Sequence, residues 1–245
     1  MTHYLDIKGL SKRYIDSWAL RNIDLGVEKK EVFGLIGPSG AGKTTLLRLI
    51  ATLEQPSEGT IQFDGIALNG LSEKGALMIR RRIGFVFQNP IVFKRSVFEN
   101  VAYGLRIRGE REVSIRKRVK AALELVGLSE LESRKATTLS GGEAQRLALI
   151  RTTIVEPELL LLDEPTANLD PANVALIEKA ISEIVKSQGK TIIIATHNMF
   201  QAERLADRVG FFLDGKLIEA SETNNIFKRP KDERTRSFVR GEMIY

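Results

Sequence analysis

The apolar residues of this chain fall into short unbroken runs set between longer, helically spaced stretches. Val32-Phe33-Gly34-Leu35-Ile36, Leu159-Leu160-Leu161-Leu162 and Thr191-Ile192-Ile193-Ile194 show no polar alternation. That is the pattern of strands covered on both faces, as in a parallel sheet. The opening stretch from Tyr4 to about Leu25 reads as β structure, with Ile23–Val27 strand-like, and Gly59–Gly65 reads as a short strand with a turn at each end. Ile83–Phe87 is a further strand, ending at Gln88-Asn89-Pro90. Leu46, Leu47, Leu49 and Ile50 recur at helical spacing after a glycine-rich turn, and Pro171 suits the first turn of a helix between the two later strands. From Val97 to Glu156 the pattern is almost wholly helical. Phe211-Phe212-Leu213, Asp214-Gly215 and Lys216-Leu217-Ile218 predict a hairpin with a two-residue turn. The charged tail from Asn224 reads as helical.

These elements predict one α/β domain over residues 1–245: a mostly parallel core sheet, an N-terminal antiparallel β lobe and an inserted helical lobe. The β lobe and core span about 1–88 and 158–220, the helical lobe about 89–157, and the tail 221–245. With 245 residues, 43% hydrophobic and 28% charged, the chain is of ordinary globular composition and long enough for a well-buried core. No run of eighteen apolar residues is present, so nothing in it reads as a membrane span. Met1-Thr2-His3-Tyr4-Leu5-Asp6 lacks a signal pattern. With no cysteine, a disulfide framework and a thiolate metal site are both excluded. The net charge of +6 admits two readings, attraction to an anionic surface or a solvated face, and the same two apply to Arg80-Arg81-Arg82 and Arg116-Lys117-Arg118.

The chemistry starts at Gly37-Pro38-Ser39-Gly40-Ala41-Gly42-Lys43-Thr44, followed by Thr45. It fits G-x-x-x-x-G-K-[ST] and lies between a predicted strand and a predicted helix. Glycines allow a tight bend whose N–H groups point at an anion, and the helix start adds its positive dipole end. Lys43 is placed for the β and γ phosphates of a nucleotide, and the Thr44 hydroxyl for Mg²⁺. The second half is Asp163-Glu164, at the carboxyl end of the four-leucine run, where open α/β sheets bind ligands. Asp163 can position Mg²⁺ or its water, and Glu164 can orient and polarise a water for attack on the γ-phosphate. Together the two halves predict a P-loop NTPase.

Leu139-Ser140-Gly141-Gly142-Glu143 narrows the class, because it resembles the signature of the ATP-binding cassette (ABC) family. Ser140 and Glu143 also match a capping box that merely starts a helix. The readings are compatible, since a capped helix start with two glycines forms an anion site. Further landmarks occur in family order. Gln88 resembles the residue of the loop that touches Mg²⁺ and couples to a membrane subunit. Leu169-Asp170 resembles the loop that crosses the dimer interface. His197 resembles the switch histidine at the γ-phosphate. Tyr14 resembles the aromatic that stacks on adenine, with Trp18 as its rival. Ala144 stands where Gln is usual, Ala167-Asn168 where Ser-Ala is common, and Thr44 replaces the more frequent Ser.

The resemblance runs from about Tyr4 to Ala220. It implies an ATPase using ATP and Mg²⁺, with Glu164, His197 and Gln88 catalytic. Each nucleotide would lie between the phosphate loop of one chain and Ser140–Gly142 of a second copy stacked head to tail. It implies integral membrane permease subunits as partners, a solute-binding protein indirectly, no nucleic acid, and a peripheral place on the cytoplasmic face of the cell membrane. Asn89–Tyr103 is either the permease-docking surface or lobe core. The stretch Phe87–Gly109 is similar to importer ATPases for oxyanions, tungstate or molybdate first and phosphate next. The rivals are an exporter ATPase, an importer for another small solute, and a soluble cassette protein acting on ribosomes or DNA. Against the DNA-repair type, only 52 positions separate Gln88 from Ser140.

Overall fold

The computed structural model describes residues 3–243; the outermost residues of the domain range, 1–2 and 244–245, lie outside them, as do the first two residues of the N-terminal reading. The chain opens with β1 (Leu5–Tyr14) and β2 (Ser17–Val27), an antiparallel pair in register from Leu5 opposite Val27 to Tyr14 opposite Ser17. Then come β3 (Val32–Ile36), α1 (Lys43–Ile50), β4 (Glu58–Phe63) and the two-residue β5 (Ile66–Ala67). β4 returns antiparallel to β1, completing a four-stranded sheet in the order β2-β1-β4-β5. The chain goes on through α2 (Glu73–Arg82) and β6 (Ile83–Val86) to three longer helices, α3 (Val97–Ile107), α4 (Glu112–Leu125) and α5 (Gly141–Thr153). The remainder is β7 (Leu159–Asp163), α6 (Pro171–Gln188), β8 (Thr191–Thr196), α7 (Met199–Leu205), the hairpin β9 (Arg208–Leu213) and β10 (Lys216–Glu222), α8 (Thr223–Lys228) and α9 (Glu233–Val239).

The second sheet has the order β10-β9-β3-β8-β7-β6, and every neighbour is parallel except β10 on β9. Its unbroken apolar runs serve both faces, because successive side chains of a strand point to opposite sides. Phe33, Leu35, Leu159, Leu161 and Ile193 join the core shared with the antiparallel sheet and α1. Val32, Leu160, Leu162, Ile192 and Ile194 join the core of α3, α4, α5 and α6. Every leucine of the 159–162 run is at most 1% exposed, and burial of such a side chain is worth roughly 1.5–3 kcal/mol. The helical segment therefore packs against the sheet through one shared apolar cluster.

The carboxyl ends of the parallel strands line up. Ile36 is opposite Thr196, Asp163 opposite Ala195, and Val86 opposite Leu162. The segments leaving these ends, which carry residues 37–42, 88, 164 and 197, therefore emerge along one edge of the sheet, the edge at which ligands bind in such folds.

Two parts differ from the pattern reading. The segment 126–140 is not continuous helix but holds two 3₁₀ turns, Ser129–Leu131 and Ala136–Thr138. Gly127 ends α4 at φ +63°, and the buried Arg146 guanidinium donates to the Val126 carbonyl. α2 and α7 are helices that the apolar pattern did not signal. Each buries only two side chains, Ala76 and Ile79 in α2 and Gln201 and Ala202 in α7. Their caps, Ser72 and Asn198, accept from the N–H groups of Gly75 and Gln201. In the basic run of α2, Arg80 donates to Thr52, and Arg82 bridges Asp64 and Glu158, so two of its three arginines fasten the chain to itself. In the other run, Arg118 pairs with Glu110 and Glu156.

Candidate functional site

A cavity of about 410 Å³ sits at the sheet edge, lined by Ala19, Ser39–Thr45, Gln88, Glu164, Ala167, Asn168 and His197. Gly42 shows why the loop passes where it does. It has φ +100°, and a Cβ there would stand 2.6 Å from the Ala19 carbonyl oxygen; only glycine permits that turn against β2. Gly37 is similarly pressed on the Phe212 carbonyl. α1 begins directly after Gly42 and has no side-chain cap, so its first N–H groups remain available to an anion.

The Lys43 side chain is 6% exposed. Its Nζ donates to the carbonyls of Gly37 at 2.6 Å and Pro38 at 2.9 Å, and stands 3.9 Å from Glu164 Oε1. Burial lowers its pKa from the ordinary lysine value, and the carboxylates of Glu164 and Asp163 oppose that shift. The Thr44 hydroxyl donates to Oδ1 of Asp163 at 2.9 Å. Asp163 is 4% exposed. Burial raises its pKa; the Thr44 hydrogen bond pulls the other way, while the charge of Glu164 adds to the rise.

Glu164 has φ +47°, a conformation costly for a residue with a side chain and concentrated at functional sites. Its N–H donates to the Ala195 carbonyl at 2.8 Å, which ties β7's end to β8. Its Oε2 then accepts from the main-chain N–H of His197 at 3.2 Å and lies 2.8 Å from His197 Nδ1. An ionised carboxylate only accepts, so Nδ1 carries the proton in this pair. The carboxylate is thus held from both sides, by Lys43 and by His197.

The oxygen donors brought together here, the Thr44 hydroxyl and the Asp163 carboxylate with the Gln88 amide at the cavity, are hard ligands of the type Mg²⁺ takes. Among the described residues no three His, Cys, Asp or Glu gather as a metal cage. A few protein oxygens, one of them a carboxylate, with the remainder from water and phosphate, is the usual Mg²⁺ arrangement, so the residues fit the ion as part of a nucleotide complex.

Ser140, Gly141 and Gly142 do not line this cavity. They form the start of α5, where the Ser140 side chain accepts from the Glu143 N–H at 3.4 Å and Glu143 Oε2 accepts from the Ser140 N–H at 2.7 Å, a complete capping box. Asp170 caps α6 and accepts from the N–H groups of Ala172 and Asn173 at 3.0 Å each. The backbone bond from Asn173, with its side-chain amide, lowers the Asp170 pKa. Tyr14 and Trp18 also lie outside the cavity lining. The Tyr14 ring is 40% exposed, and its hydroxyl donates to Glu54. Trp18 packs under the Arg13 guanidinium, 5.8 Å from its ring centroid. Glu54 escaped the sequence reading because no local pattern marks a turn residue 40 positions from its partner.

Residues 20–167 match the family model described as ABC transporter. The phosphate import ATP-binding protein PstB 2 of Natronomonas pharaonis is 44% identical, across 98% of this chain and 88% of that protein. A probable anion import ATP-binding protein of Haloferax volcanii is 41% identical, with the same two coverages of 98% and 88%. Among solved structures, a dimeric ATP-binding cassette in a post-hydrolysis state, bound to ADP and Pi, superposes with a TM-score of 0.83 at 30% identity, covering 89% of this chain and 98% of that one.

Proposed function

The chain belongs to the ABC transporter family, and from that premise we propose that it is the ATP-hydrolysing subunit of an importer, working as a head-to-tail pair on the cytoplasmic face of the membrane. One observation carries the reading. The cavity holds the phosphate loop, Gln88, Glu164 and His197 but not the serine–glycine helix start. It is half a site, and a second copy turned through a two-fold axis supplies the missing anion-binding end.

Each residue then has a task. N–H groups of Ser39–Thr45 cradle the phosphates, and Lys43 exchanges its two loop carbonyls for β- and γ-phosphate oxygens. Thr44, Asp163 and Gln88 would hold Mg²⁺, which would supply neutralisation of charge on the phosphate oxygens. Glu164 orients a water and takes its proton as the water oxygen bonds to the γ-phosphorus and the bond to the leaving ADP oxygen breaks. His197 holds Glu164 in place and offers Nε2 to the transferring group. Ser140, Gly141 and Gly142 of the opposing copy complete the phosphate clamp, with Asp170 at the contact. Tyr14 stacks on adenine from the rim once released from Glu54. The helical lobe, about 89–157, carries the clamp and, on Asn89–Tyr103, a surface for permease subunits.

The cargo we assign is a tetrahedral oxyanion, tungstate or molybdate, with phosphate as the neighbouring choice. Support comes from the stretch Phe87–Gly109 and from relatives named for phosphate and anion import. Two measurements test the proposal. Glu164→Gln with MgATP elutes as a dimer and with MgADP as a monomer; a strict monomer with MgATP overturns the clamp. ATPase of the chain with its co-extracted permease and binding protein rises with tungstate, molybdate or phosphate; a rise with methionine alone overturns the oxyanion assignment.

A further inference from the structure

Arg151 is a cation in a half-buried position on α5 with no carboxylate partner among the described residues. Its Nη2 donates to the Ile91 carbonyl at 2.6 Å and its Nη1 to Asn100 Oδ1 at 3.3 Å. Its guanidinium lies over the Phe93 ring, 4.8 Å from the centroid. Burial lowers its pKa with nothing offsetting it. An arginine kept in such surroundings is held by geometry, since its planar fork can satisfy two acceptors and an aromatic face at once.

Those three groups belong to one surface. Asn100 is 0% exposed and fastens the loop before α3. Its Oδ1 accepts from the Phe93 N–H, and its Nδ2 donates to the carbonyls of Phe93 and Ser96 at 3.2 and 2.9 Å. Phe93 meets Tyr103 edge-on at 4.8 Å. Ile91 and Tyr103 are 65% and 42% exposed, an apolar outer face on a polar frame. Its inner end is pinned by main-chain bonds to the segment before α5: the Val97 N–H donates to the Arg134 carbonyl and the Ala136 N–H to the Arg95 carbonyl, at 2.9 Å each. Gln145, one turn into α5, donates to the Phe87 carbonyl at 3.2 Å, while its own carbonyl oxygen has no partner. The outer part, Ile91 to Phe93, is tied to α5 by Arg151.

We propose that Arg151 is a positioning residue that locks residues 91–93 to the helix beginning at Ser140, so that the permease-facing loop and the phosphate clamp move as one body. This rests on the docking role of Asn89–Tyr103 given above. A helical segment of the permease pressing on Ile91 and Phe93 then shifts Ser140–Gly142 toward or away from the nucleotide of the opposing copy. Arg151 does not line the nucleotide cavity, so it acts on hydrolysis only through this linkage.

The test uses Arg151→Met, which keeps the stem volume and removes the charge, and Arg151→Lys, which keeps the charge but cannot serve both acceptors. Each is assayed alone and with the co-purified permease. Arg151→Met is expected to melt and hydrolyse ATP alone within about twofold of wild type, and to lose about tenfold of the permease-stimulated rate, the size of one charge-assisted hydrogen bond. Arg151→Lys is expected to fall between. Wild-type stimulation in both variants overturns the role, and so does an equal fall in the isolated and stimulated rates, which marks a purely structural residue. Ile91→Glu separates the two claims. Undiminished permease binding in that variant removes the docking surface itself, whereas lost binding there together with normal stimulation in the Arg151 variants leaves the surface and removes only the linkage.

Discussion

The Thr44 hydroxyl donates to Oδ1 of Asp163 at 2.9 Å, across 119 positions of the chain. This bond joins the first turn of α1 to the end of β7 at the place where a divalent cation would enter. Asp163 is 4% exposed and its pKa is raised by burial. A carboxyl whose folded pKa lies above its unfolded value binds its proton more tightly when folded. The nucleotide-free chain therefore gains stability from this group as pH falls toward the folded value and below it. Asp163→Asn removes the buried charge while keeping the acceptor for Thr44. It is expected to raise the melting temperature of the nucleotide-free protein at neutral pH and to abolish the extra stabilisation that Mg²⁺ adds to ATP. In wild type, Mg²⁺ competes with that proton, so its apparent affinity should weaken as pH drops through the raised value. A lower melting temperature in the variant would contradict the account.

Lys43 Nζ donates to the carbonyls of Gly37 and Pro38. Binding exchanges these carbonyls for anionic oxygens, and hydrogen bonds to charged groups contribute roughly 1.5–3 kcal/mol. Lys43→Ala should therefore weaken ATP binding by about 10–100-fold in a fluorescent-nucleotide titration. Unchanged affinity would remove the lysine from the phosphates.

Glu164→Gln retains an acceptor for the His197 N–H but cannot take a proton. Turnover should fall by about 10²–10⁴-fold with nucleotide affinity preserved. His197→Ala removes the Nδ1 contact but keeps the main-chain N–H that also holds Oε2 of Glu164, and should reduce turnover by less than Glu164→Gln in the same steady-state assay.

Most of this frame is legible in the sequence because the strands are continuous apolar runs and the loops carry rare residue combinations. The run 159–162 announces both a buried strand and, at its end, Asp163 and Glu164. The helix at Lys43 follows from glycines that no regular element tolerates in such density. What was hidden is two-fold. Short helices such as Glu73–Arg82 bury too few side chains to leave a period. Long-range tethers leave no local trace at all: Tyr14 to Glu54, and Arg151 to Ile91 over 60 positions. The separation of Ser140–Gly142 from the cavity was implied only by the family resemblance, since no local pattern shows how α5 packs.

Two adjacent glycines of the helix start have different surroundings, and that separates their roles. A Cβ on Gly142 would stand 2.4 Å from Cγ of Asn173. The amide of Asn173 donates to Asp170 at 2.5 Å, so moving it disturbs the cap of α6. Gly142→Ala should cost about 1–2 kcal/mol, the size of a weakened cap, visible as an earlier melt of the isolated chain. A Cβ on Gly141 meets nothing within 4 Å, so Gly141→Ala should melt like wild type. In the proposed head-to-tail pair, however, that methyl group would enter the space of the opposing γ-phosphate. Gly141→Ala in a Glu164→Gln background is accordingly expected to lose ATP-dependent dimerisation by size exclusion while still binding ATP as a monomer. If Gly141→Ala dimerises normally, the helix start does not face the nucleotide of a second copy, whatever happens at Gly142.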